Sequence, residues 1–372
     1  MYRQKKLILT AGPSISKKEI GYVLDAVENG WNFNLDGYIL EFEKKFADYI
    51  GVKHALTLTS GTAALHLAMR VLKIGPSDEV IIPDQTFVAC ANAVSFVGAT
   101  PVFCDVEKDS WCIDPASFEK AISKKTKAVI AVHTYGQPPR MDEIRAIARK
   151  HNIFVIEDAC PAVGSLYKGQ KAGSLSDIAA FSFQGAKIMA TGEGGMIVTN
   201  RKDWYEKALS LRAHGKDLGR SFWHNDIGYM YRMSNIQAAL GLAQLERIDT
   251  FVKKKQKIFR WYKERLSNIE GIILNTENDW SKSNYWMSSI ILMNKFKLSR
   301  DELRGHLYKK NIDTRQFFYP ISMFPMYRNS KRVDTKISYQ LGLNGINLPS
   351  GVNLKEEEVD YIADEVKKAL TQ

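Results

Sequence analysis

Lys187 lies in the stretch Ala180-Phe-Ser-Phe-Gln-Gly-Ala-Lys-Ile-Met-Ala-Thr-Gly-Glu-Gly-Gly195. A short apolar run ends at Ser182, Gly185 bends the chain, and Met196-Ile-Val-Thr199 reads as a strand. An amine held on a tight turn between apolar segments is partly desolvated. Desolvation disfavours the ammonium form, lowers the lysine pKa and leaves an amine able to attack a carbonyl. A surface lysine in a glycine-rich loop has the same local sequence, so the residues elsewhere in the chain must decide.

Three other stretches carry groups that suit such a lysine. Thr59-Ser-Gly-Thr-Ala63 follows a strand-like run and opens a helix-like one. Gly61 permits close backbone approach, and the helix-terminal amides can bind an anion together with the hydroxyls of Ser60 and Thr62. A plain helix cap has the same composition. Ile156-Glu-Asp158 ends a buried-looking strand, the place where open α/β sheets bind ligands. A carboxylate there can hold a ring nitrogen protonated, and capping of the next turn is the ordinary alternative. Phe87 follows the run 80–82 and can stack on a planar ring, although a lone aromatic is more often core. An anion cradle at 60–62, a ring platform at 87, a strand-end acid at 158 and a loop lysine at 187 together match pyridoxal phosphate, which needs one of each.

These groups require a scaffold, and the periodicity supplies one. Residues 16–29 read as a helix capped by Ser16, with Glu19 three residues on and an apolar face of Ile20, Val23, Leu24 and Val27; Gly30 ends it. A second amphipathic helix over 38–50 carries Ile39, Phe42, Phe46 and Ile50 on one side. Strand-like runs at 55–58, 79–82, 101–104, 128–132 and 154–156 alternate with helical stretches at 63–72, 88–97, 115–122 and 142–150, the pattern of an α/β sheet covered on both faces. Residues 235–266 read as one long helix, with Ala238, Leu242, Leu245, Ile248 and Val252 spaced by three and four. Beyond it come a strand at 286–292, a helix at 299–310 capped by Ser299, a short strand at 346–348 and a last helix at 354–369. The expectation is a large α/β domain over 1–245 and a smaller α+β domain over 246–372.

The bulk composition of the 372 residues, 45% hydrophobic and 25% charged, is that of an ordinary globular chain. No apolar run is long enough for a membrane span. Residues 1–6 are basic, but no apolar segment of signal-peptide type follows. Four cysteines without CxxC spacing are expected to be reduced thiols in a cytoplasmic protein, and no metal site is expected. The net charge of +11 is not arranged as a basic stripe interleaved with aromatics, which weighs against nucleic acid, and it suits a phosphorylated small substrate.

Several longer stretches are Ser60-Gly-Thr-Ala-Ala-Leu-His66, Val132-His-Thr-Tyr-Gly-Gln137, Ile156-Glu-Asp158, Phe181-Ser-Phe-Gln-Gly-Ala-Lys187, Thr191-Gly-Glu-Gly-Gly195 and Tyr231-Arg-Met-Ser-Asn235. Through them the chain resembles, nearly end to end, the DegT/DnrJ/EryC1/StrS family of fold-type-I pyridoxal-phosphate aminotransferases that make amino sugars. Trp223-His224, Gly228-Tyr229, Phe318-Tyr-Pro320, Pro325-Met-Tyr327 and Ile346-Asn-Leu-Pro-Ser350 are similar to the branch that acts on GDP-linked 4-keto-6-deoxysugars. The resemblance implies a fold with a large mixed-sheet α/β/α domain and a smaller C-terminal α+β domain, in a homodimer whose active sites lie at the subunit interface. It implies Lys187 as Schiff-base lysine and proton shuttle, Asp158 on the pyridine nitrogen, Gly61 and Thr62 on the phosphate, a hydroxyl from Ser182 and the Phe87 ring against the cofactor. A related dehydratase branch has His at the lysine position, so Lys187 favours transamination.

The chain departs from the family at positions expected near the site. Pro161 stands where Gln or Glu is usual, Met230 where an Asn reaches the phosphate across the dimer, Gln184 for an aromatic or His, Ala186 for Asn, and Ser322 for a frequent His. Ala213-His-Gly215 replaces a Gly-Gln-Gly. Candidate substrate contacts are Gln184, His214, Arg220 and Arg315. The expected reaction moves an amino group from L-glutamate to a nucleotide-linked 4-keto-6-deoxysugar bound for a surface polysaccharide. A second reading keeps the chemistry but takes a small keto phosphate such as dihydroxyacetone phosphate, giving serinol phosphate, with His214 and Arg220 on its single phosphate. A third is a non-catalytic regulator on the same fold, for which only Pro161 and Met230 speak.

Overall fold

The structure, a computed structural model, describes residues 7–276, 278–293 and 295–371; the basic segment 1–6 lies outside them. The chain begins with helices α1 (Lys17–Asn29) and α2 (Gly37–Ile50). Strand β1 (His54–Leu58) follows, then α3 (Gly61–Val71), β2 (Glu79–Pro83), α4 (Ala89–Phe96), β3 (Thr100–Cys104), α5 (Pro115–Ala121), β4 (Thr126–Val132), α6 (Met141–His151) and β5 (Phe154–Asp158). Two short strands, β6 (Leu166–Tyr167) and β7 (Gln170–Lys171), precede β8 (Ile178–Ser182), β9 (Gly195–Thr199) and α7 (Lys202–Arg212). Next come α8 (Asn235–Leu245), α9 (Ile248–Leu266), β10 (Ile272–Leu274), β11 (Ser281–Lys282) and β12 (Ser288–Leu292). The chain closes with α10 (Arg300–Lys309), β13 (Arg315–Gln316), α11 (Lys336–Asn344), β14 (Gly345–Leu348) and α12 (Glu356–Leu370).

Seven strands form the main sheet in the order β1-β9-β8-β5-β4-β2-β3, with β9 antiparallel to both neighbours and all other pairs parallel. Successive side chains face opposite sides, and both sides are covered, so the strands read as continuous apolar runs. Leu56, Ile82, Ile130, Ile156 and Ala180 face a core shared with α3, α4 and α7. On the other side Ile81, Val129 and Val155 pack with α5 and α6, while Ala179 and Phe181 pack with α2 and α8. A second sheet, β10-β12-β14-β13, builds its own core with the second half of α9 and with α10 and α12. Helix α9 joins the two: Phe251 and Val252 belong to the core of the first sheet, Ile258, Trp261 and Tyr262 to that of the second. Residues near the N-terminus also reach the second sheet: Ile8 bridges Ile312, and the Thr10 carbonyl accepts from the Ser350 amide. Among the described residues no helix is long and apolar enough to cross a membrane. All four cysteines are free thiols.

Two sequence expectations change. The single helix over 235–266 is two helices broken at Glu246 and Arg247, where Arg247 leaves helical geometry (φ −112°, ψ 0°). Apolar periodicity runs through the break and does not signal it. The break is held by polar tethers: Glu246 accepts from Lys18, Lys45 and Tyr22, and Arg247 donates to Glu19 and to the Ser14 carbonyl. Helix α1 has its Ser16–Glu19 capping box, but its apolar stripe does not face the core. Glu19 and Ala26 are the buried positions, while Ile20, Leu24 and Val27 are exposed.

Candidate active site

A cavity of about 440 Å³ opens where the parallel strands end, the position that open α/β sheets offer to ligands. Each wall follows from a strand end. After β1, Ser60 caps α3: its backbone is extended and its Oγ accepts from the Ala63 amide at 3.1 Å. The Ser60 hydroxyl is thus an acceptor within the cap, and its proton together with the first-turn amides is left for an anion. Gly61 is required by packing: a Cβ there would lie 2.8 Å from the Ser182 Cβ and 2.9 Å from the Cys160 Sγ. The helix terminus is therefore drawn flush against the ends of β5 and β8, beside Thr62 and Ser182 in the cavity wall.

After β2, Phe87 stands on the cavity rim, 55% exposed, its ring tilted at 52° to that of Phe318 with centroids 5.5 Å apart. A face-open aromatic at this place is not core packing and is available to a planar ring. At the end of β5 the alternation separates the two carboxylates. Asp158 points into the cavity and accepts from the Cys90 thiol (3.1 Å) and the Cys160 amide (3.1 Å). Glu157 points to the other side of the sheet, fully buried, accepting from Gly173 N, Leu175 N, Ser176 Oγ and His133 Nε2. Burial beside Asp158 pushes the Cys90 thiol well above the ordinary thiol range, which keeps it a neutral donor.

The lysine turn joins β8 to β9. Its left-handed residue is Gly192 (φ 84°), not Gly185, whose amide closes the turn on the Gly192 carbonyl. Gln184 is exposed, and its Oε1 accepts from the Ala186 amide at 2.8 Å, so it braces the turn as well as lining the cavity. Lys187 Nζ sits 3.9 Å from the ring centre of Trp286. Burial lowers the Lys187 pKa first of all; Cys160, Asp158 and Cys90 oppose this and Arg315 adds to it. The sequence expectation of a desolvated amine at this position agrees with that direction.

Ser60, Gly61, Thr62, Phe87, Asp158, Ser182, Gln184, Lys187 and Arg315 all line this one cavity, as does Pro161. His214 and Arg220 do not. They line a separate surface groove with Lys216, His224, Met230 and Arg232, and Arg220 lies over Trp223. Ser322 is also away from the cavity wall: it is buried, and its Oγ donates to Asp84 at 2.6 Å. Sequence reasoning missed an aromatic wall made by Tyr135, Trp286 and Phe318. Tyr135 stacks on Phe318 (5.3 Å) and on Trp286 (6.1 Å). Tyr135 carries a left-handed backbone (φ 51°) although it is not glycine, strain of the kind that gathers at functional sites. Two of the three come from beyond residue 246, so only tertiary contact reveals them. For Trp286 the single sequence signal was an aromatic at the edge of a strand-like run.

The donor set fits pyridoxal phosphate on this geometry: a helix terminus cleared of side chain by Gly61, a carboxylate at a strand end, an open aromatic face and a lysine of lowered basicity, all on one cavity. Comparison with known proteins agrees. Residues 13–367 match the model of the DegT/DnrJ/EryC1/StrS aminotransferase family. The chain is 42% identical over 356 residues to GDP-perosamine synthase of Caulobacter vibrioides, covering 95% of this chain and 96% of that one. It superposes on PseC of Helicobacter pylori, an aminotransferase involved in the biosynthesis of pseudoaminic acid, with a TM-score of 0.93 and 28% identity over 98% of this chain and 100% of that one. It superposes equally well on Spr1654 of Streptococcus pneumoniae, solved in a PLP-form and a PMP-form, with a TM-score of 0.92 and 28% identity over 98% and 99% of the two chains. The chain belongs to the DegT/DnrJ/EryC1/StrS aminotransferase family and is a pyridoxal-phosphate-dependent aminotransferase.

Proposed function

We propose that the enzyme takes an amino group from L-glutamate and delivers it to a nucleotide-linked 4-keto-6-deoxysugar, as a step toward a surface polysaccharide. The observation that carries this reading is the convergence of Lys187, Asp158 and the α3 terminus on one cavity; the GDP-perosamine synthase relative supports the sugar class. Bound there, pyridoxal phosphate supplies a carbon that can hold the amino group in transit and a ring that withdraws electrons from it. The protein's share is positioning and proton transfer. Lys187 Nζ, with its proton affinity lowered by burial, takes and returns a proton. The Asp158 carboxylate, fixed by Cys90 and the Cys160 amide, holds a ring-nitrogen proton in place. Gly61, Thr62 and the hydroxyls of Ser60 and Ser182 would hold the phosphate, and Phe87 would offer its face to the ring.

On this reading residues 1–245 hold the cofactor and 246–372 bring Trp286, Arg315 and Phe318 to the substrate side. The working form is a homodimer, in which the groove of His214 and Arg220 faces the partner, and the enzyme acts in the cytoplasm, where its free thiols stay reduced. The test is a discharge experiment. Glutamate should bleach the cofactor's visible band, and GDP-4-keto-6-deoxymannose should restore it. Recovery only with dihydroxyacetone phosphate would move the substrate to a small keto phosphate, and no bleaching with glutamate would remove the donor. Lys187→Ala should lower turnover at least ~1000-fold, within the range that general acid–base catalysis supplies; a variant at the wild-type rate would overturn the lysine's role.

A further inference from the structure

Trp286 is held from four sides. Its indole N–H donates to the Ala186 carbonyl at 2.7 Å, one residue before Lys187. Its amide donates to Asn284 Oδ1 at 2.8 Å, and Asn284 in turn donates to the carbonyls of Pro161 and Val163 at 3.0 Å. Its carbonyl accepts from Lys255 Nζ at 2.7 Å. Its ring is stacked at 22° on Tyr135. Lys255 is 3% exposed and Asn284 is fully buried, so neither is a chance surface contact. The ring so fixed lies 3.9 Å from Lys187 Nζ.

The need for such a device follows from the chemistry proposed above, on which this inference rests. In each turnover Lys187 is free of the cofactor and, between taking a proton and returning it, must hold that proton inside a cavity wall. Among the described residues no carboxylate lies within ion-pair distance of its Nζ, so burial alone would drive the proton off. An aromatic face attracts a cation without offering a base that could take its proton, and without competing for the Asp158 carboxylate.

We propose that the Trp286 indole face is the resting place of the Lys187 ammonium whenever that lysine is free of the cofactor and holds a proton, and that Lys255 and Asn284 are positioning residues that keep this face in register. The ring raises the proton affinity of Lys187 against the surrounding desolvation. It also returns Nζ to one location in the cavity wall for the next proton transfer.

The test uses the full chain loaded with pyridoxamine 5'-phosphate, in which Lys187 is free. Competitive acetylation across pH, read on the Lys187 peptide by mass spectrometry, gives the midpoint of its protonation. Trp286→Leu should lower that midpoint by about one pH unit, a tenfold loss of proton affinity, the size of a desolvated cation–π contact. Trp286→Phe should retain most of it. The sign separates the proposal from mere loosening, because a site opened to water would raise the midpoint. A midpoint that stays or rises in Trp286→Leu overturns the resting-place role. Lys255→Met should lower the midpoint by less than Trp286→Leu, and a wild-type midpoint removes Lys255 from the device. Borohydride reduction of the pyridoxal-phosphate-loaded enzyme keeps the two levels apart. Cofactor fixed on a lysine other than Lys187 overturns the underlying reading; cofactor fixed on Lys187 with an unmoved Trp286→Leu midpoint overturns only this inference.

Discussion

Lys187 and Lys255 hold their amines against the two ends of one tryptophan, the ring and the carbonyl. Lys187 has acidic and thiol groups around it; Lys255 has one carbonyl as its bonded partner, and burial pushes its pKa down from 10.5 to about 7. That shift makes stability depend on pH with a definite sign. Between about 7 and 10.5 the unfolded chain carries this proton and the folded chain does not, so folding expels a proton and stability rises with pH. Below about 7 both states are protonated and the full cost of burying the cation remains; above 10.5 both are neutral and the cost vanishes. Lys255→Met should therefore flatten the rise in urea-unfolding midpoint between pH 7 and 10, where one such group contributes at most ~1.4 kcal/mol per pH unit. A variant that keeps the wild-type slope would show that Lys255 titrates at an ordinary value in the folded enzyme.

The elements around the site are tied by polar clusters that no periodicity announces. Glu43 on α2, Thr57 on β1 and Arg212 at the end of α7 form one buried group. Arg212 Nη1 donates to Glu43 Oε1 at 2.7 Å and to the Thr57 carbonyl and Oγ1 at 3.0 Å, and Thr57 donates to Glu43 from both its amide and its hydroxyl. Removing one charge of a buried pair leaves the other unpaired, which outweighs what the pair adds when intact. Arg212→Met should cost about 3 kcal/mol of unfolding free energy, read from denaturant midpoints, with the Lys187 protonation midpoint unmoved because the cluster does not line the cavity. The same contrast explains what the sequence made legible. The sheet strands and their helices were readable because burial on both faces leaves apolar runs, and Lys187, Asp158, Gly61 and Phe87 were readable as cavity candidates because each lies at or within a few residues of a strand end. The break at Glu246–Arg247 was not, because Leu245, Ile248 and Val252 continue the apolar spacing across it while the tethers come from α1 and α2. Trp286 was not, because its role lies in a contact across a hundred residues of chain with the carbonyl of Ala186.

At the scale of the molecule, the apolar surface that one chain leaves uncovered is what the proposed homodimer would have to cover. Ile20, Leu24 and Val27 form a stripe along α1 that turns away from the core, and Trp31, Phe33 and Leu35 continue from its end. Phe222, Trp223, Ile227 and Met230 are a second exposed apolar group, next to the groove of His214 and Arg220. Arg232, which lines that groove, pairs with Asp36 just after the first group, so the two surfaces are linked through one ion pair. Exposed apolar groups of this kind mark interaction surfaces, and the commonest oligomer is a pair of copies related by a twofold axis. This assigns a reason to Met230 as well: an apolar side chain, unable to bond a phosphate, suits a subunit contact. Light scattering should then report twice the chain mass of 42.1 kDa. Leu24→Glu places an unpaired charge in the contact, once from each subunit, at a cost of about 3 kcal/mol or more, which weakens dimerisation ~100-fold or more. If the 213–232 segment serves the partner's cavity, the monomer so produced should lose turnover while keeping its Lys187 midpoint. A wild-type enzyme that stays monomeric at micromolar concentration and turns over at full rate would instead make these surfaces contacts for a different partner, and would leave His214 and Arg220 outside the reaction.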